Sequence, residues 1–144
     1  MDATPPVGRI LETSLYVADL DRSEAFYRRV FGFSTMLRDH RMASMAVPGR
    51  QALLLFQRGG ATEPSRTPFG AIPPHDGWGA QHLCFSIAQG ALGAWQPHLA
   101  AAEVALESRI DWPQGAASLY FRDPDGHSLE VGTPGLWAND PIHS

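Results

Sequence analysis

From Ile10 to Val17 the side chains alternate, with Glu12, Ser14 and Tyr16 on one side of an extended chain and Leu11, Leu15 and Val17 on the other. This period-two pattern predicts a strand buried on one face. The period then lengthens. Phe26, Tyr27, Val30 and Phe31 recur at helical spacing behind Asp21 and Glu24, which read as a capping box, and Gly32 stands where a left-handed helix end is expected. Three further strands are predicted over residues 33–38, 42–47 and 51–57, the last two joined by a turn at Pro48 and Gly49. The first half therefore reads β, α, β, β, β.

Residues 58–79 are dense in Gly, Pro, Ser and Thr and read as a linker or a loop laid over a site. The same order then returns. An alternating strand is predicted over residues 81–87, a helix over 91–102 carrying Leu92, Trp95, Leu99 and Ala102, and strands over 106–110, 118–122 and 127–131. Pro97 must kink that helix or lie near its start, Trp95 is expected in the core, and the turn Asp123-Pro124-Asp125-Gly126 joins the last two strands. Aligning Glu12 with His82 also matches Leu15 with Phe85 and Val17 with Ile87. The expected fold is α+β: tandem βαβββ modules at about residues 8–58 and 80–133, a linker at about 59–79, and a tail at 134–144, all within one domain.

One helix covers one face of a four-stranded unit, so the other face must be covered by its twin or stay wet, and a cup between modules is the natural outcome. Alternation sorts Glu12, Ser14, Tyr16, His82, Cys84, Ser86, Ser118, Tyr120, Arg122, Ser128 and Glu130 onto the face away from the helix.

Composition narrows the partners. The net charge is −4 and the eleven basic residues, all Arg, are scattered, which argues against nucleic acid. No stretch is apolar enough to span a bilayer and the first residues lack a signal-peptide layout, so a cytoplasmic protein acting on a small molecule is expected. The single cysteine, Cys84, lies in an apolar run and is expected to be a buried, inert thiol.

Glu12, His82 and Glu130 sit in predicted strands beside apolar residues, where an unpaired ionisable group would cost several kcal/mol. Convergence on one divalent cation would compensate all three, leaving positions for water or substrate. Equally, Glu12 could pair with Arg122, His82 could be a hydrogen-bonded core histidine, and Glu130 could lie at a wet strand end. Tyr120 and Arg122, on the same face, could orient or protonate an oxygen held at the ion, or could be ordinary strand packing and a surface ion pair. His75 could fold over the site as a proton shuttle or remain a solvated loop residue. His40, His98, His127 and His143 are expected at the surface, and Trp78 and Trp112 could wall a pocket or plug the barrel end.

The run Ile10-Leu-Glu-Thr-Ser-Leu-Tyr-Val-Ala-Asp-Leu-Asp-Arg-Ser-Glu-Ala-Phe-Tyr-Arg-Arg-Val-Phe-Gly-Phe33 resembles the opening strand and helix of the vicinal oxygen chelate superfamily, which comprises glyoxalases, bleomycin-resistance proteins and extradiol dioxygenases. Gln81-His-Leu-Cys-Phe-Ser-Ile87 resembles its second-module opening, and Leu119-Tyr-Phe-Arg-Asp-Pro-Asp-Gly-His-Ser-Leu-Glu-Val131 its closing hairpin. The resemblance implies an eight-stranded curved sheet or cup, with Glu12, His82 and Glu130 as ligands to one divalent ion (Fe, Mn, Ni or Zn). It further implies dioxygenase, lyase or isomerase chemistry on vicinal oxygens of a small substrate, and a homodimer that in several members builds each cup from two chains. The first ligand is His in extradiol dioxygenases and fosfomycin-resistance enzymes, and Glu here. Residues 52–56 offer no carboxylate or imidazole as the fourth ligand of glyoxalase I enzymes. The alternative reading is a metal-free sequestering protein of the bleomycin-resistance type, its cup lined by Tyr16, Trp78, Trp112 and Tyr120.

Overall fold

The computed structural model describes residues 3–142, so His143 lies outside the described residues. Strand β1 (Glu12–Val17) leads into α1 (Leu20–Phe31), followed by β2 (Ser34–Arg38), β3 (Met42–Val47) and β4 (Gln51–Gln57). Ile10 and Leu11, expected within the first strand, precede it and are exposed. The cap of α1 is Asp19, whose carboxylate accepts from the Arg22 N–H. Asp21 and Glu24 do not form the expected box; each instead binds Arg38 at 2.8 Å, because β2 brings that guanidinium beside the first turns of the helix. Leu20, Ser23, Phe26, Tyr27 and Val30 form the buried stripe of α1. Gly32, at φ 71°, ends it by donating its N–H to the Arg28 and Tyr27 carbonyls.

The linker is not structureless: it carries a small hairpin of β5 (Ser65–Thr67) and β6 (Gly70–Ile72). The second module runs β7 (His82–Ser86), a 3₁₀ turn (Gln89–Ala91), α2 (Leu92–Ala101), β8 (Ser108–Asp111), β9 (Ala117–Arg122) and β10 (Ser128–Gly132). Pro97 lies inside α2, and Trp95 is half-buried against the core.

The first module forms a sheet in the order β1-β4-β3-β2, with β1 parallel to β4, and the second a sheet in the order β7-β10-β9-β8, with β7 parallel to β10. The same plan twice makes this an α+β fold of tandem βαβββ modules. Leu15, Val17, Met45, Leu53 and Leu55 of the first sheet, Leu119, Phe121, Leu129 and Val131 of the second, and buried residues of both helices join in one apolar core. The modules thus pack through their helix-covered faces, and the two opposite faces lie outside that core. Among the described residues no helix is long and apolar enough to cross a membrane.

Candidate functional site

On the outer face of the second sheet, His82 on β7 stands beside Glu130 on the neighbouring strand β10, with Nε2 3.2 Å from Oε1. The imidazole is half-exposed, whereas Glu130 is only 4% exposed. His82 Nδ1 lies 2.9 Å from the Ser128 carbonyl. A carbonyl only accepts, so Nδ1 carries a proton, and in the neutral ring Nε2 presents its lone pair to Glu130. Glu130 Oε2 is buried with no hydrogen-bond partner. Two facing lone pairs need a positive charge between them, either a proton on Nε2 or a cation held by both. The donor set of one imidazole and one carboxylate fits a divalent ion, and a backbone carbonyl fixing the other ring nitrogen is the usual support of a metal-binding histidine. Glu130 is therefore not at a wet strand end, and His82 is not a core residue.

Tyr120 pairs with Glu130 across β9 and β10. Burial, and then the Glu130 carboxylate, raise its phenol above the ordinary value. Cys84 shares this face and is exposed, not buried as expected, since the apolar run alternates its residues between the core and the open side. Desolvation of the sulfur and the neighbouring Glu130 charge push its thiol up to about 12, which leaves it protonated and a poor nucleophile at neutral pH. Arg122 lies exposed at the end of β9 and binds Glu107 (Nε to Oε2, 2.7 Å) and the Gly126 carbonyl, so it does not pair with Glu12. Trp112 donates from Nε1 to Ser118 Oγ and is half-buried, while Trp78 is exposed.

Glu12 occupies the outer face of the other sheet. There the linker folds over the strands and encloses a cavity of about 530 Å³ lined by Glu12, Ser14, Met42, Leu54, Phe56 and His75, among others. From the linker, His75 Nδ1 is 2.7 Å from the Tyr16 hydroxyl, and its ring packs edge-on to Phe56. Burial, and then Asp76, raise the Tyr16 phenol, so it keeps its proton at neutral pH. A methyl at Gly77 would collide with the Tyr16 ring, which is why the linker can cross here only as glycine. Ala52, Leu54 and Phe56 of β4 are the residues on Glu12's face, so no fourth ligand stands there. With the shared core between the two outer faces, Glu12 does not join His82 and Glu130 within one chain.

A second cluster escaped sequence reasoning. Asp123, Asp125 and His127 bring ligand-type atoms within 4.8 Å of one another. All of these atoms are engaged already. Asp123 accepts from the N–H groups of Asp125 and His127 and from the Tyr27 hydroxyl, and Asp125 from Ala18 N–H and Ser23 O–H. His127 Nδ1 accepts from Gln81 N–H and its Nε2 donates to the Tyr16 carbonyl. His127 is thus fully buried rather than at the surface, because the closing turn is docked on the β1–α1 junction. The visible signal was the Asp-Pro-Asp-Gly-His turn, which holds more side-chain acceptors than the turn itself uses.

The family model of the Glyoxalase/Bleomycin resistance protein/Dioxygenase superfamily matches residues 9–131. The chain belongs to this superfamily. Among solved superfamily structures, lactoylglutathione lyase from Agrobacterium tumefaciens matches with a TM-score of 0.84 and 38% identity, over 93% of this chain and 99% of that one. Metallothiol transferase FosB from Shouchella clausii (strain KSM-K16) is 27% identical over 129 residues, 88% of this chain and 81% of its own. The fosfomycin resistance protein FosX from Listeria monocytogenes shares the fold, with a TM-score of 0.68 at 19% identity over 91% of this chain and 97% of that one.

Proposed function

We propose that this superfamily member is a metalloenzyme acting on a small molecule with two neighbouring oxygens, its ion held by His82 and Glu130 of one chain and Glu12 of a second copy. The observation that carries the reading is Glu130: a buried carboxylate whose Oε2 makes no well-formed hydrogen bond, with the Cys84 thiol and the Tyr120 phenol nearby, and whose Oε1 stands 3.2 Å from the His82 imidazole. Exposed Ile10, Leu11 and Leu37 in the first module and Ile72 and Trp78 in the linker give a second copy apolar surface to cover. FosB and lactoylglutathione lyase among its relatives favour an enzyme over a metal-free binder. The absence of a fourth ligand beside Glu12 favours a three-ligand centre over a glyoxalase I type.

When bound, a divalent ion such as Fe, Mn, Ni or Zn supplies Lewis acidity to the two substrate oxygens. The carboxylates of Glu12 and Glu130 balance its charge, and the Ser128 carbonyl holds the His82 ring in its donating tautomer. Tyr120 keeps its proton at neutral pH and can donate it to a substrate oxygen. His75, anchored through Nδ1 by Tyr16, presents Nε2 as a proton-carrying atom over the cavity. Arg122, committed to Glu107, fixes the β9–β10 turn. We place the protein in the cytoplasm as a homodimer.

Elemental analysis and mixing test this together. Wild type should hold one ion per chain, and Glu12→Gln or Glu130→Gln alone should hold almost none. Mixed and re-annealed, the two variants should recover about a quarter of the wild-type metal, because half the dimers are mixed and each mixed dimer rebuilds one intact site. No metal in the wild type sinks the metal reading; no recovery on mixing sinks the shared site.

A further inference from the structure

The wall of the cavity over the first sheet carries one guanidinium, Arg41, that makes no direct ion pair. Arg22, Arg38, Arg58, Arg109 and Arg122 all lie within ion-pair distance of carboxylates. Arg41, half-buried in the cavity wall, makes no such contact among the described residues, though its charge reaches Asp39 and helps hold that carboxyl below its usual value. Its one side-chain bond runs from Nη2 to Ser65 Oγ at 3.1 Å, leaving most of its five N–H donors free. The side chain is also held in place. A Cβ on Gly60 would come within 3.0 Å of Arg41 Cγ and 2.9 Å of the Gln57 carbonyl, so the linker backbone closes on the aliphatic stem. The backbone at Arg41 is pinned on both sides, its N–H donating to Asp39 Oδ1 and its carbonyl accepting from Gln57 N–H. A guanidinium with a fixed stem and free donors is preorganised for an oxyanion.

Two other carboxylates line the same cavity. Asp39 gives its Oδ1 to the N–H groups of Arg41 and Met42, and Glu63 is exposed on the linker. Glu12, on the proposed reading, is balanced by the ion. Ser65 adds a hydroxyl that accepts from Arg41 and keeps its own proton to donate.

We propose that Arg41, with Ser65, is the specificity-determining anion receptor of the cavity, so that the natural ligand carries an oxyanion (carboxylate, sulfonate or phosphonate) at the end opposite the vicinal oxygens. This rests on the metal reading only for the position of those oxygens. A ligand of this kind fits about 530 Å³, which is within the ordinary range of small-molecule sites.

The test holds the vicinal-oxygen unit constant and varies the tail: catechol, 3,4-dihydroxybenzenesulfonate and 3,4-dihydroxybenzylamine, titrated calorimetrically into the full protein with metal content measured in parallel. The sulfonate should bind about tenfold more tightly than catechol, the gain of one charge-assisted hydrogen bond, and the amine no better than catechol. Arg41→Gln should erase the sulfonate preference and leave catechol affinity unchanged, and Arg41→Lys should keep part of it. An equal or stronger affinity for the amine, or a sulfonate preference that survives Arg41→Gln, overturns the proposal. A protein without metal that still shows the Arg41-dependent preference refutes the metal reading and upholds this one; a metal-loaded protein without the preference does the reverse.

Discussion

Two clusters of carboxylate and imidazole lie a few residues apart in the last hairpin, and they have opposite characters. In the closing turn, Asp123, Asp125 and His127 are all close enough to ligate an ion, yet hydrogen bonds to Ala18, Ser23, Tyr27, Tyr16 and Gln81, and to the N–H groups of Asp125 and His127, account for every side-chain polar atom. On the sheet face, Glu130 and His82 are only a pair, yet Glu130 Oε2 is left buried without a hydrogen-bond partner. Proximity of ligand atoms therefore does not mark a site; unsatisfied capacity does. The first cluster holds the modules together, and the second, on the proposed reading, holds the ion.

The sharpest way to break this comparison is to remove one member of each cluster. Asp123→Ala orphans the Tyr27 hydroxyl and two backbone N–H groups, and should cost about 3 kcal/mol and lower Tm by about 10 °C, while metal bound per folded molecule stays unchanged. Glu130→Gln should do the converse, shifting stability by less than about 1 kcal/mol while metal uptake is lost. Denaturant melts read beside elemental analysis separate the two, and a matched loss of both properties in either variant would show that the clusters are one site.

What the sequence disclosed follows the same division. Strand alternation assigned Glu12, His82, Tyr120 and Glu130 to outer faces, and Gly32 as a helix end was plain, because both signals are local. Alternation names a face but not what covers it, so Cys84 was expected to be buried and proved exposed, and His127 the reverse. The partners of His127 stand 46 and 111 residues away. The helix cap is Asp19 and not Asp21 because the helix begins at Leu20, which places Asp21 inside the first turn, where it meets Arg38, seventeen residues on. Arg41 gave no sign in sequence, because its place in the cavity wall and its largely free N–H donors are facts of tertiary placement.

Smaller effects sharpen the contrast further. Tyr27→Phe leaves one Asp123 oxygen unanswered and should cost about 1–2 kcal/mol near neutral pH. Burial, and then Asp123, raise the Tyr27 phenol well above its usual value, so the folded state keeps a proton that the unfolded chain releases above about pH 10. The stability from this group is complete below that pH and falls as pH climbs toward the folded value. Tyr27→Phe should accordingly show a shallower alkaline loss of stability than wild type in pH-dependent melts; equal slopes would count against it. Gly77→Ala should push the linker off Tyr16 and weaken ligand binding to the first-module cavity by a few-fold, with Tm lowered by only about 2–4 °C.

The docked turn also has a consequence for how the protein is made. Asp125 reaches back 107 positions to Ala18, and His127 reaches back to Tyr16. A chain emerging from the ribosome cannot tie down β1 and α1 until the β9–β10 hairpin has been translated. Until then the first module has its hydrophobic underside uncovered, and premature termination anywhere before the last hairpin would release a product fit for chaperones or proteases.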